Sequence, residues 1–351
     1  GRAVLLVFIE PERRCYAMKH RRFLLYFVSF GVLLGGLTFG HLYTGFQYLA
    51  PSELLRILLG GGTADERLTV FDFRMVRVVA AALVGVGLSV AGYVFQQMTH
   101  NELAGPGLLG VNAGAGLAVL WVILVTAPDV GLSLWLLPAV AVLGAMVTAT
   151  GIYTLSLQGH SSQRSYNLIL SGIVLSAGLH AVQTILVVRL SPEKFQQANS
   201  WLIGSISATT WSQVGVLTAI LGLAFGYVYS RRHTLNVLAL HEEVAIGLGT
   251  AVKRQRLCFL VVAVIMAATS VALGGSIGFI GLMAPHAARR LVGADSTYAL
   301  PLTALIGATV LVGADWVGRT IIAPNELLTG MVVALVGAPY FLYMLWRKRG
   351  V

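Results

Sequence analysis

From Val78 to Asn101, Leu103 to Pro128, Val130 to Gln163, Ser165 to Val188 and Leu327 to Trp346 the chain carries no Asp, Glu, Lys or Arg. Each run reaches the roughly 20 residues that a helix needs to cross the hydrocarbon core of a bilayer. Inside that core a backbone must satisfy its own hydrogen bonds, which a helix does within one segment. So many uncharged runs leave no water-soluble fold open, and the expected class is an all-α membrane protein. The 40 glycines among 351 residues fit this reading. They would weaken helices in water, but in a bilayer small residues let helix backbones approach closely.

About ten spans meet the length requirement. They are expected at Phe23 to Leu42, Arg74 to Gln97, Leu108 to Ala127, Leu134 to Leu157, Ser165 to Val188, Trp211 to Ser230, Leu257 to Leu273, Ser276 to Leu291, Ala299 to Val317 and Leu327 to Trp346. The stretch from Leu257 to Ala288 is too long for one helix and is divided at Gly274 and Gly275. Tyr43 to Thr69 contains Pro51, Gly60 to Gly62 and scattered charges, so it reads as an interfacial helix plus loop. The resulting division is a basic tail over 1–22, a membrane domain over 23–346 and a basic tail over 347–351. Met18, followed by Lys19, His20, Arg21 and Arg22, looks like a natural start, and the first span reads as a retained helix rather than a signal peptide.

The formal charge of +10 comes from basic residues that sit where loops should be. Loops on the cytoplasmic side of membrane proteins are rich in Lys and Arg, which explains the charge without nucleic acid. In the alternating arrangement most basic residues share the side of the N-terminus, among them Arg231, Arg232, Lys253, Arg254, Arg256, Arg289, Arg290 and Arg347. Both termini are therefore expected in the cytoplasm. Arg74, Arg77 and Arg319 fall on the other side. Cys15 and Cys258 suggest neither a disulfide framework nor a metal site.

Enzymatic motifs are missing. No GxxxxGK[S/T] loop is present, so the chain is not expected to hydrolyse a nucleotide. His241-Glu242-Glu243-Val244-Ala245 starts like a zinc motif but ends in Ala where a second imidazole is required. No GxSxG elbow accompanies a His and an acid. An intramembrane enzyme or a channel stands as the distant alternative.

Three blocks do carry information. Arg74-Met75-Val76-Arg77 opens a span that ends in Gln96 and continues as Asn101-Glu102-Leu103-Ala104-Gly105-Pro106-Gly107-Leu108-Leu109-Gly110. A second block runs from Gly274 to His286 through Gly281 and Pro285 and closes at Arg289. A third contains Asp315, Arg319, Pro324, Glu326 and Gly330, ending Gly337-Ala338-Pro339. In order and spacing these blocks resemble the FecCD family of permeases, the membrane subunits of importers for ferric siderophores, haem or cobalamin. The chain departs from the pattern at Val76, Glu102 and Leu328, where proline is common. Asn-Glu-Leu-Ala followed by Pro-Gly-Leu-Leu-Gly looks most like siderophore permeases of Gram-positive type.

The resemblance implies a type II ABC importer permease fold in a bacterial cytoplasmic membrane. It also implies a second permease subunit, either a copy or a paralogue, that completes the pathway, with two cytoplasmic ATPases and an extracytoplasmic binding protein. No cofactor is expected on this chain, because ATP and magnesium belong to the ATPase, and no metal ligand is assigned. Docking of the binding protein falls to Arg74, Arg77 and Arg319, since Arg suits bidentate contact with carboxylate. Headgroup anchoring or pairing with Asp72 and Asp315 is the plainer reading of the same arginines.

The loop from Arg231 to Arg256 would meet the ATPase through Leu240, Glu242, Glu243, Ala245, Gly247, Leu248 and Gly249, because an apolar loop outside the bilayer needs a partner. Ser171, Gly172, Ser176 and Gly178 on the fifth span would line a gate. Most Gly and Pro in the blocks, Pro106, Gly110, Gly281 and Pro285 included, read first as helix breaks or close packing positions. His286 reads as a hydrogen-bonded interfacial histidine. Iron-siderophore import is the expected function, with haem or cobalamin as alternative cargo.

Overall fold

The structure is a computed structural model that describes residues 2–45, 49–126, 133–157, 164–207, 209–240, 242–323 and 325–348, without the side chains of 2–17, 108, 164, 165, 347 and 348. His241 and Pro324 lie outside the described residues. Among the described residues every regular element is helical, and eight helices are long and apolar enough to cross a membrane.

Helix α1 runs from Arg2 to Tyr43, so the helix continues through the expected N-terminal tail. No Gly or Pro separates Ala17 from Phe23 to stop it. Two short helices follow, α2 (Pro51–Leu58) and α3 (Ala64–Arg67). The start of α3 is set by Thr63, whose hydroxyl accepts from the Glu66 amide while Glu66 reaches back to the Thr63 amide, a capping box. The chain then passes without a break through a π-helical stretch, Leu68–Met75, into α4 (Val76–Thr99). This continuous unit spans 36 residues. At about 1.5 Å per residue it is near 54 Å long, more than the bilayer needs, so helix occupies much of the stretch expected to be loop.

A 3₁₀ turn over Pro106–Leu109 leads into α5 (Val111–Val125), and α6 (Leu136–Ser156) and α7 (Arg164–Val187) follow. Helix α8 (Pro192–Ile203) was not among the expected elements, although Ser191 with Pro192 at the first helical position is a start signal. Then come α9 (Trp211–Ser230), α10 (Arg232–Leu238), α11 (Glu242–Gly247) and α12 (Val252–Gly274). The expected break falls at Gly275, whose φ of +71° suits glycine. The last helices are α13 (Ile280–Val292), α14 (Ser296–Thr320) and α15 (Thr329–Lys348). The ten expected spans thus exist, but α5 and α13 have only 15 and 13 residues. At about 1.5 Å per residue neither covers the roughly 30 Å of hydrocarbon.

Helix α4 is the axis of the bundle and packs along α12, α13 and α14. Lipid is as apolar as Leu, so close backbone approach must supply much of the attraction between helices. Gly85 of α4 lies against Gly307 of α14, each blocking a Cβ on the other, and Gly92 of α4 lies against the carbonyl of Gly281 in α13. Around this axis α1 covers α14, α5 pairs with α6 and α7, and α15 closes over α13 and α14.

Candidate functional site: a cavity between two polar networks

Asp315 of α14 is fully buried and gathers four elements. Arg77 of α4 donates from Nε to Oδ2 at 2.8 Å and from Nη2 to Oδ1 at 3.0 Å. His41 of α1 meets Oδ2 through Nε2 at 2.7 Å, and Thr329 at the start of α15 donates to Oδ1 at 2.7 Å. The remaining Arg77 donor reaches the half-exposed Glu326 at 2.9 Å. A charge held in a membrane bundle needs such pairing, because the cost of stripping its water is several kcal/mol. The end of α1 meanwhile presents carbonyls that no helical amide can reach. Arg74 donates to Leu42 O at 2.6 Å, and Arg319 donates to the carbonyls of His41 and Thr44.

This corrects the picture of Arg74, Arg77 and Arg319 as outward-facing docking groups. Arg74 is buried, and Arg77 and Arg319 are largely so. A buried carboxylate and the carbonyls closing α1 draw all three guanidinium groups into the chain. The alternative weighed for them, pairing with Asp315, is the arrangement present for Arg77.

Nearer the middle of the bundle lies a cavity of about 440 Å³. Its walls include Pro106, Asn112 of α5, Ile173 of α7, Phe279 and Phe341 of α15. Among the described residues none that lines it is charged. Asn112 Oδ1 is buried there without a hydrogen-bond partner. Phe279 stands at φ +63°, a conformation that costs a bulky residue of the order of 1–3 kcal/mol and persists only when its surroundings enforce it. Gly337 of α15 is the enforcing contact, since its missing side chain leaves the space that the Phe279 Cβ and ring occupy.

Helix α7 faces this cavity with Ile169 and Ile173. Of the small residues expected to line a gate, Ser176 falls on that stripe, three residues after Ile173 and seven after Ile169. Gly172 is buried, the Ser176 hydroxyl is buried near Gly110, and Gly178 has open space beside it, while Ser171 is half-buried. At 100° per residue, position 176 points with 169 and 173, while 171 and 178 point elsewhere.

Below the cavity the second block has a local logic. Pro285 lacks an N–H, so the carbonyl of Gly281, four residues earlier in α13, loses its helical donor. Gln96 of α4 replaces it, its Nε2 lying 3.3 Å from Gly281 O and 3.4 Å from Leu282 O. Arg289 in turn donates to Gln96 Oε1 and lies over the Tyr93 ring. His286 is buried with Nδ1 2.7 Å from the Tyr340 hydroxyl, in keeping with its structural reading. Asn101 Oδ1 accepts from the Leu103 amide at 2.9 Å and turns the chain toward Pro106, while Gly110 uses φ +63° to start α5. Nothing in the sequence flagged Tyr93. Its hydroxyl accepts from Gln97 one turn on in α4 and meets Ser296, 203 positions away in the chain, at the start of α14.

The segment between α9 and α12 folds as α10 and α11. Leu235, Leu238 and Ala245 are buried, which removes Ala245 from the expected contact surface. It is the small side chain on which α11 seats against the bundle. Leu240, Glu242, Glu243, Gly247, Leu248 and Gly249 are exposed, together with Val244 and Ile246, which the sequence reading passed over. Arg256 pairs with Glu242 at 3.3 Å and fixes the segment to α12. Among the described residues no group of three or more His, Cys, Asp or Glu is placed to hold a metal.

Residues 32–347 match the sequence model of the FecCD transport family. The chain belongs to that family. Its relatives include the iron(3+)-hydroxamate import system permease protein FhuG of Bacillus subtilis, 40% identical over 304 residues that cover 85% of this chain and 90% of the relative. The Fe(3+)-citrate import system permease protein YfmE of the same organism is 37% identical and covers 93% and 96%. The hemin transport system permease protein HmuU of Yersinia pestis is 36% identical and covers 86% and 90%. Among solved structures, an inward-facing metal-chelate type ABC transporter superposes with a TM-score of 0.80 at 28% identity, covering 92% of this chain and 98% of that one. This FecCD chain is therefore a membrane-embedded permease subunit of an ABC importer, a transport subunit and not an enzyme.

Proposed function

We propose that this permease carries iron chelated by a siderophore or a related small organic ligand across a bacterial cytoplasmic membrane. The observation that supports the cargo class is the cavity wall. A bare ferric ion is hard and calls for carboxylate oxygen. The cavity offers none: its walls are apolar and aromatic with Asn101 and Asn112 as polar points, which suits a chelate whose metal is already wrapped. Its volume falls within the range of about 300–1,000 Å³ usual for small-molecule pockets. Relatives named for ferric hydroxamate and ferric citrate point the same way.

In this reading both termini are cytoplasmic, a second permease completes the pathway, and two ATPases holding ATP and magnesium engage α10 and α11. An extracytoplasmic binding protein docks at the Asp315 end, on a surface that the Arg74, Arg77 and Arg319 network shapes without offering its guanidiniums. Uptake of radiolabelled ferric hydroxamate into proteoliposomes holding the whole transporter tests the cargo. Competition by excess ferric hydroxamate, with haem and cobalamin inert, is the expected result. Competition by haem alone would move the assignment to haem, and uptake of uncomplexed ferric ion would overturn the chelate reading.

The ATPase contact is tested separately. Val244, Ile246 and Leu248 are exposed apolar side chains on a segment with no bilayer to enter. Burying one such side chain contributes about 1.5–3 kcal/mol. Ile246→Asp combined with Leu248→Asp should lower recovery of the ATPase with the permease at least about tenfold, since about 1.4 kcal/mol is already that factor. Unchanged co-purification would rule out this face.

A further inference from the structure

Helix α10 is tied to the cavity wall by an unbroken line of polar contacts. Asn236 of α10 donates from Nδ2 to Asp295 Oδ1 at 3.0 Å and accepts the Ser296 amide on its Oδ1 at 2.9 Å. Both partners belong to the turn between α13 and α14, where Asp295 caps α14 by accepting the Thr297 amide. Burial pushes the Asp295 carboxyl up, but these donors outweigh it and hold it below the ordinary carboxylate value, so it is charged at neutral pH. The fully buried hydroxyl of Ser296 lies 3.0 Å from the hydroxyl of Tyr93 on α4. Arg289 of α13 lies over the Tyr93 ring, 5.3 Å from its centre, and donates to Gln96. Gln96 holds the carbonyls of Gly281 and Leu282, residues that line the cavity two and three positions after the strained Phe279.

We infer that Asn236, Ser296, Tyr93, Arg289 and Gln96 form a positioning relay, through which displacement of α10 changes the cavity wall at Gly281 and Leu282. The inference rests on the assignment of α10 and α11 to the ATPase. Its physical basis is that each link ties two different elements, and that the last link supplies the one carbonyl that Pro285 leaves without a helical donor. When α10 moves, the turn at Asp295 and Ser296 moves with it, because two bonds in opposite directions fix their relative position. Tyr93 and Arg289 follow through a hydroxyl contact and a cation–ring contact. The Gly281 carbonyl then either keeps or loses Gln96, and the first turn of α13, already strained at Phe279, shifts against the cavity.

Contiguity alone does not prove coupling, so the test reads coupling directly. In the whole transporter, with Cys15 and Cys258 changed to Ser, a single Ile173→Cys reports labelling of the cavity in nucleotide-free and vanadate-trapped states. Wild-type background should show different labelling rates in the two states. Tyr93→Phe keeps the ring under Arg289 and removes the hydroxyl, with its contacts to Ser296, Gln97 and the Ala294 carbonyl. It should shrink the ratio of rates at least about fivefold, the lower end of ordinary coupling between sites, while ATP hydrolysis continues and transport per ATP falls. Ser296→Ala, which removes only the bond between the two hydroxyls, should also shrink the ratio, and the double variant should be no worse than Tyr93→Phe alone, because Tyr93→Phe already breaks that shared bond. Unchanged labelling ratios in both variants, or effects that multiply in the double variant, would overturn the relay. If the transporter with native Ile173 carries no ferric hydroxamate while its ATPase is bound, the cargo reading fails and the relay is still read from the labelling ratio.

Discussion

Asp315→Ala should cost the permease about 3–5 kcal/mol, because it leaves Arg77 buried with only the half-exposed Glu326 as counter-charge and strips His41 and Thr329 of their acceptor. Thermal unfolding in detergent, followed by size-exclusion of the surviving monodisperse fraction, measures the loss. Removing both charges is expected to be milder. In Asp315→Leu with Arg77→Met no uncompensated ion is left inside, and replacement of a buried pair by apolar groups of similar size is often close to neutral. Glu326 provides the contrast: its carboxylate is half-exposed, so Glu326→Ala should stay within about 1 kcal/mol of wild type. Equal losses at Asp315 and Glu326 would mean that burial does not set the energetics of this network.

An even larger effect is expected from Gly92→Val. A Cβ at residue 92 falls on the carbonyl of Gly281, and two γ-carbons would add to the clash. Backbone cannot give way as a flexible side chain can, so α4 and α13 must separate. The Gly281 carbonyl would then also lose Gln96. Destabilisation beyond about 4 kcal/mol, an exceptional value for one substitution, is the expected outcome, seen as loss of folded protein at normal expression. Gly178→Ala is the control, since open space surrounds that glycine and the change should shift stability by no more than about 0.5 kcal/mol. A well-folded Gly92→Val protein would show that the contact between these helices is adjustable.

What could be read in the sequence follows from what is local. Uncharged runs of sufficient length gave the helices, and two adjacent glycines gave the division between α12 and α13. The motif blocks gave the family because they are contiguous strings. Direction was the harder matter. Arg77 and Asp315 are 238 positions apart, so nothing along the chain says that the arginine turns inward to a carboxylate rather than outward to a partner. Ala245 looked like part of an apolar loop surface, and only its seat against the bundle shows otherwise. Four small residues of α7 were expected at one gate, yet 171 and 178 point away from the face on which Ile169 and Ile173 meet the cavity and only Ser176 shares it. Tyr93 carries no signal in an apolar helix until Ser296 is brought beside it.

The glycines of α4 bear on how such a machine can move. Gly85 locks to Gly307 and Gly92 to Gly281, and Gly87 leaves no room between α4 and Ser270 of α12. Surfaces in register at backbone distance can rotate together but cannot slide past one another without prising carbonyls apart. The core of α4, α12, α13 and α14 therefore resists sliding between its helices. Helix α7 lies against the thinner shell of α5 and α6 and has open space beside Gly178. A glycine packed against backbone resists sliding, while one beside open space, as at Gly178, does not.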